Sequence, residues 1–308
     1  MRSLVTGATG FIGSHLCDAL VSIGHEVIGV DSGVIGNERN ISKLIGNPQF
    51  KFEAADVIEP FDFGPVDWIF HFASPTAPAE TYKHPKITLE VNTIATSHAL
   101  QLANKYKAKM MFASSIKVKD AITFGSEYIK GKMFGEQYCT AHEVKIARMG
   151  NIYGPRMASD DSRVIPTFCR NIIHDEPMNI WGDGSQVDSF CYIQDCIRGL
   201  ISFMESDVSG VVEFGDPVGI TILDLAYTML RTLGAQVPIM FEQPGGGCVV
   251  LCNNEPYAHN RTARALAAKQ RKVPDIHIAR DKFGWYPRIN MEYGIRQTFE
   301  YYKSILSN

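Results

Sequence analysis

Ser3-Leu4-Val5-Thr6-Gly7-Ala8-Thr9-Gly10-Phe11-Ile12-Gly13 is the stretch whose reading decides the fold. Ser3–Thr6 suits a short buried strand, and it runs into three glycines spaced G-x-x-G-x-x-G. Phe11–Ser22 then carries a helical apolar pattern, with Leu16, Leu20 and Ile23 on one face. Gly7, Gly10 and Gly13 let the backbone turn sharply and come close to a pyrophosphate. The N–H groups around Phe11 and Ile12 and the positive end of the helix dipole would hold it. Three glycines are weak evidence in a chain that has 26. The strand before, the helix after and Asp31 about 20 residues further on make the pattern specific. A carboxylate at Asp31 would bond a ribose 2′-hydroxyl and repel a 2′-phosphate, which predicts NAD rather than NADP. Asp56 and Val57 are placed to meet adenine, although Asp56 also reads as a plain loop cap.

Outward from this loop, strand and helix alternate. Further strands are expected at His25–Asp31, Phe50–Ala54, Trp68–Phe72, Lys109–Ser114 and Val144–Met149. Helices fall at about Ile87–Asn104, with Leu89, Ile94, Leu100 and Leu102 as its apolar face, and at about Gly131–His142. Short apolar strands separated by helices predict an α/β fold, a Rossmann-type doubly wound parallel sheet covered on both faces. After Gly150, prolines at 155, 166, 177, 217, 238 and 244 punctuate shorter elements. The expected organisation is residues 1–150 as an NAD-binding domain and 151–308 mainly as a smaller, partly interleaved α/β substrate domain, with some segments returning to the first. Two late amphipathic helices are expected at Ile222–Leu233 and Asn290–Lys303. Residues 243–275 stand apart: Gly245-Gly246-Gly247, then Cys and Asn, then Arg261, Arg264, Lys269, Arg271 and Lys272, which read most simply as a solvated helix face.

Composition narrows the class. The 308 residues are 45% hydrophobic and 20% charged, enough for one large domain or a large and a small one. Lys plus Arg is 30 against 33 for Asp plus Glu, so the basic excess of a nucleic-acid binder is missing. No apolar run reaches the ~18 residues of a membrane span. Met1–Gly7 lacks the layout of a secretion signal. The seven cysteines are odd in number, and Cys248-x3-Cys252 has no second pair to complete a zinc site, so no metal is expected. Reduced cytoplasmic thiols are the expectation.

Tyr128-x3-Lys132 places a phenol and an ammonium one helical turn apart on one face. The ammonium lowers the phenol pKa and makes it a usable proton acceptor. With 12 Tyr and 16 Lys in 308 residues, about 0.6 such spacings arise by chance, and a second one exists at Tyr82-x3-Lys86. Pro85 disfavours a continuous helical turn there. Tyr128 instead opens a helix after a strand ending Ala113-Ser114-Ser115, and ligands of open α/β sheets bind at strand carboxyl ends. Ser115 would hydrogen-bond the oxygen that Tyr128 deprotonates.

These residues bring out a likeness. The chain resembles the extended short-chain dehydrogenase/reductases of the NAD-dependent epimerase/dehydratase family, which act on nucleotide sugars, and is closest in pattern to the UDP-glucuronate decarboxylases. The matching stretches are Gly7–Asp18, His71-Phe72-Ala73-Ser74-Pro75, Asn92, Arg148–Met157, Trp181–Ile193, and Pro274-Asp275-Ile276 through Gly284-Trp285-Tyr286-Pro287. The resemblance implies tightly held NAD, with Ala73, Asn92 and Lys132 on the cofactor side. It implies a Ser115/Tyr128/Lys132 triad and a nucleotide-sugar site at the domain cleft lined by Ser74, Lys117, Asn151, Arg163 and Asp188. It also implies a homodimer through the two long helices of the first domain.

Departures from that pattern shape the expected reaction. Lys117 stands where the decarboxylases and related dehydratases carry a glutamate, and Asp188 where the decarboxylases carry an arginine. Only 13 positions separate Ser115 from Tyr128, fewer than in the family, and residues 244–268 look like an insertion. A lysine does not replace a carboxylate base, and an aspartate repels a substrate carboxylate. The two reversed charges are expected to face each other, with two unrelated solvated charges as the plainer alternative. The expected chemistry is oxidation of a sugar secondary alcohol to a keto intermediate by an epimerase or oxidoreductase. A UDP-glucuronate decarboxylase-like enzyme is the alternative, and an NAD(H)-dependent binding module without catalysis is the reading from another class.

Overall fold

The computed structural model describes residues 1–120, 126–242, 248–251 and 273–307. Most of the expected insertion at 244–268, with Gly245–Gly247 and Cys252, and the basic run from Arg261 to Lys272 lie outside the described residues. The chain divides into two compact units. The first comprises Met1–Met149, Ile193–Phe214 and Asp275–Tyr286. The second comprises Gly150–Tyr192, Gly215–Pro274 and Pro287–Asn308.

The first unit is a seven-stranded sheet. Its strands are β1 (Arg2–Thr6), β2 (Glu26–Asp31), β3 (Phe50–Ala54), β4 (Trp68–His71), β5 (Lys109–Ser115), β6 (Lys145–Met149) and, after the chain has built much of the second unit, a strand at Gly210–Phe214. Every pairing is parallel, in the order β3-β2-β1-β4-β5-β6 and then Gly210–Phe214. The order reverses at β1, so the carboxyl ends of β1 and β4 diverge into a crevice, the ligand site of a doubly wound sheet. Trp68, Ile69, Phe70 and His71 are all buried. That is why β4 reads as a continuous apolar run rather than an alternating one.

The helices of this unit are α1 (Phe11–Ser22), α2 (Pro78–Lys83), α3 (Pro85–Tyr106) and α4 (Glu127–Thr140). Leu16 and Leu20 are buried, but Ile23 is exposed, because α1 ends at Ser22 and the chain turns before Ile23 can join its face. Ile94 is also exposed, at 42%, on the outer side of α3. Tyr82 and Lys86 fall on different helices, with His84 in a non-helical conformation between them, so the second Tyr-x3-Lys spacing forms no pair.

The second unit contains β7 (Asn151–Tyr153), α5 (Val164–Ile173), β8 (Met178–Trp181), β9 (Val187–Asp188) and β10 (Phe190–Tyr192). In chain order follow α6 (Ile193–Glu205) and β11, the Gly210–Phe214 strand, both in the first unit. Then come β12 (Ile220–Thr221), α7 (Ile222–Leu233), β13 (Ile239–Glu242), β14 (Cys248–Leu251), α8 (His277–Phe283, first unit) and α9 (Met291–Leu306). β10 runs parallel to β7, β12 antiparallel to β9, and β14-β13-β8 form a small mixed sheet. α9 starts where Asn290 accepts the Tyr293 N–H, and Gly294 lets it sit against the Tyr153 hydroxyl. Among the described residues, no helix is long and apolar enough to cross a membrane.

Candidate active site

The glycine loop joins β1 to α1. Gly7 has φ +75°, and a Cβ there would sit 2.9 Å from the Ala73 backbone, so only glycine lets β1 and β4 part this closely. A Cβ on Gly13 would lie 2.0 Å from the Gly7 carbonyl oxygen; this glycine lets the first turn of α1 fold onto the loop. Gly10 is the N-cap of α1, and no side chain caps that end. The N-terminal N–H groups of a 12-residue helix, around Phe11 and Ile12, therefore face the crevice without a side-chain acceptor.

Asp31 ends β2 and anchors the loop. Its carboxylate accepts the N–H of Thr9 (3.0 Å) and of Gly33 (2.9 Å). Asp56 is exposed and accepts the Ile58 N–H, so it does cap its own turn, while Val57 is buried in the apolar cluster beneath. At the end of β4, the Thr6 hydroxyl oxygen accepts the N–H groups of Phe72 and Ala73. Its proton is thus donated to His71 Nδ1, leaving Nε2–H toward the Val91 carbonyl. Burial, and then the nearby Lys132 charge, push the His71 pKa down to about 3, so the ring stays neutral. Asn92 of α3 is fully buried; its Nδ2 donates to Ser74 Oγ and to the Thr88 carbonyl, and its Oδ1 has no protein partner. The glycine cradle, the uncapped helix end and this orphaned amide oxygen fit a dinucleotide laid across Gly7–Gly13, Asp31, Ala73 and Asn92.

Ser115, Tyr128 and Lys132, the expected triad, stand at the carboxyl end of β5. α4 begins with Ser126 as N-cap, so Tyr128 lies in its first turn and Lys132 one turn later. Lys132 is buried, and its Nζ donates to the Ala113 carbonyl at 2.7 Å. It lies 5.8 Å from the Tyr128 ring centre and 5.0 Å from that of Phe112. Burial brings the Lys132 pKa down to about 7, against the pull of Cys139 and Glu136. Ser115, also buried, accepts the Lys117 N–H through Oγ. Lys117 itself is exposed, on a single-turn helix at Ile116–Asp120 that Lys119 pins to Glu213 of β11.

In the second unit, two expected site residues meet. Asn151 Nδ2 donates to Asp188 Oδ1 and to the Ser189 carbonyl, and Asp188 also accepts the Ser189 N–H. Arg163, the N-cap of α5, is clamped by the buried carboxylate of Asp161 through Nε and Nη2. Lys117 belongs to the first unit and Asp188 to the second.

Glu136 belongs to none of the motifs legible in the sequence. It lies two turns beyond Tyr128 on the Tyr128/Lys132 face of α4, and that i, i+4, i+8 spacing was the signal available.

Residues 3–215 match the family model "NAD dependent epimerase/dehydratase family". The chain is 32% identical to UDP-glucuronic acid decarboxylase 1 of Danio rerio, over all of this chain and 74% of that protein. Among solved structures, it superposes on UDP-glucuronic acid 4-epimerase from Bacillus cereus, in complex with UDP-glucuronic acid and NAD, with TM-score 0.80 and 26% identity, covering 99% of this chain and 100% of that one. It superposes on UDP-glucose 4-epimerase from Thermotoga maritima with TM-score 0.83 and 25% identity, again covering 99% and 100%.

Proposed function

The chain belongs to the NAD dependent epimerase/dehydratase family, and on that premise we propose that this NAD-dependent enzyme oxidises a secondary alcohol on the sugar of a sugar nucleotide to a keto intermediate. The observation that carries the reading is the buried Lys132 ammonium beside the Tyr128 ring, at the end of the strand that presents Ser115. Bound NAD supplies the hydride acceptor. Ser115 holds the substrate hydroxyl, Tyr128 removes its proton, and Lys132 favours the phenolate that does so. Gly7–Gly13 and Asp31 hold pyrophosphate and ribose, and Ala73 and Asn92 line the cofactor side; Ser74 in the first unit, and Asn151 and Arg163 in the second, are assigned to the substrate.

Epimerisation or simple oxidoreduction is the leading outcome. Returning the hydride to the opposite face of the keto carbon, with Tyr128 handing its proton back to the oxygen, gives the epimer and needs no further acid or base. The 32% identity to a decarboxylase over the whole chain favours decarboxylation as the second reading. Tyr128→Phe should abolish turnover of UDP-glucuronic acid or UDP-glucose while NAD still binds; retained turnover overturns the mechanism. Mass spectrometry of the wild-type products separates an epimer of unchanged mass from loss of carbon dioxide. Reversing both charges, Lys117→Glu with Asp188→Arg, tests their part in that choice. Newly gained carbon dioxide release supports it, and an unchanged product removes these residues from the account.

The assembly proposed is a homodimer through α3 and α4, supported by Ile94, Phe134 and Tyr138, which are 42%, 47% and 49% exposed. The compartment proposed is the cytoplasm, supported by the free, buried thiols of Cys139, Cys169 and Cys196.

A further inference from the structure

Three consecutive residues of β5 each meet α4 or the substrate side. The Ala113 carbonyl takes Lys132 Nζ, the Ser114 hydroxyl donates to Glu136 Oε1, and Ser115 is the residue assigned to the substrate oxygen. Glu136 is buried and also takes two bonds from Arg148 of β6, from Nε at 2.8 Å and from Nη2 at 2.6 Å. One carboxylate therefore ties α4 to two adjacent strands, one turn beyond Lys132. We propose that Glu136 is a positioning residue: through Ser114 and Arg148 it sets the register in which Lys132 and Tyr128 meet Ser115. The proposal rests on the catalytic reading of Tyr128 and Lys132 given above.

Electrostatics adds a signature that a purely structural ion pair would lack. The groups facing Lys132 are His71 from β4, which is neutral, and Tyr128, Glu136 and Cys139 from α4. The Glu136 charge helps Lys132 keep its proton, and the Lys132 charge in turn favours the Tyr128 phenolate. Direct repulsion between Glu136 and Tyr128 acts over two helical turns, whereas Lys132 lies one turn from each, so the nearer, indirect effect is the larger.

The test reads ionisation of Tyr128 as the ultraviolet phenolate signal lost on Tyr128→Phe, in the NAD-bound protein, with and without Glu136→Gln. The expected result is a midpoint raised by about half a pH unit or more. NAD reduction with UDP-glucuronic acid or UDP-glucose should slow at least about tenfold in a single turnover, a loss of ~1.4 kcal/mol of transition-state stabilisation. Ser114→Ala removes one bond and keeps the Arg148 pair, so it decides the matter if Glu136→Gln does not fold; a rate lowered about threefold with unchanged NAD affinity is expected from it. An unmoved midpoint with an unchanged rate overturns the proposal, and so does a loss of thermal stability alone. If Tyr128→Phe leaves turnover intact, the catalytic reading fails and this proposal falls with it. If Tyr128→Phe is inactive while Glu136→Gln is neutral, only the positioning role fails.

Discussion

Lys132 shows what burial does to a single charged residue. Its ammonium is stripped of water, and its pKa falls from 10.5 to about 7. Between those values the unfolded chain binds the proton that the folded one has released, so this group makes stability rise with pH across that window. Below about pH 7 both states are protonated and the burial penalty is paid in full. Urea unfolding of wild type and Lys132→Met should therefore show their stability difference moving in favour of wild type from about pH 7 to pH 10. A difference that stays flat with pH would mean that Lys132 keeps an ordinary pKa. The same residue was legible in the chain because Tyr-x3-Lys is a helical spacing. Its discrimination from Tyr82-x3-Lys86 came from Pro85, since proline starts a helix more readily than it continues one.

At the scale of elements, the site depends on how closely α4 approaches α3 and β5. A Cβ on Gly135 would lie 2.4 Å from Phe112 Cζ and 2.8 Å from the Asn92 carbonyl oxygen, and one on Gly131 would lie 3.0 Å from Asn92 Cβ. The two glycines let the helix settle deep enough to bury Lys132 beneath Tyr128. Gly135→Ala should cost about 1–3 kcal/mol of stability, because backbone as well as a side chain must move, and should lower kcat more than NAD affinity. Gly131→Ala should be milder. Chemical denaturation with parallel NAD titration checks both, and a Gly135→Ala protein of wild-type stability and rate would remove the close-approach argument. Helical spacing marked these glycines only as weak positions in a helix. Their use became visible once the neighbouring helix and strand were in place.

For the whole molecule, assembly and chain path carry the remaining consequences. Phe134 and Tyr138 stand one turn apart on α4 and exposed, with Ile94 exposed on α3. Replacing Phe134 with Glu puts a charge into the proposed dimer face, and light scattering should then report a monomer where wild type is a dimer; a wild-type monomer would overturn the assembly. Within the first unit, the late segment Asp275–Tyr286 returns to complete the core. Trp285 is buried against Phe214 and Gly199, and its indole N–H reaches the Asp195 carbonyl, 90 residues away. Legible in the chain alone were the alternating strand and helix order, the glycine loop with Asp31, and the Tyr128/Lys132 spacing. Each depends on local backbone chemistry or on a helical period, so its signal sits within about 20 residues. It took packing to bring Ser114, Glu136 and Arg148 into one buried node, to set Asn151 on Asp188 across 37 residues, and to turn Ile23 and Ile94 outward. Those outcomes turn on which surfaces pack together and which polar groups lose water, and no local period records either.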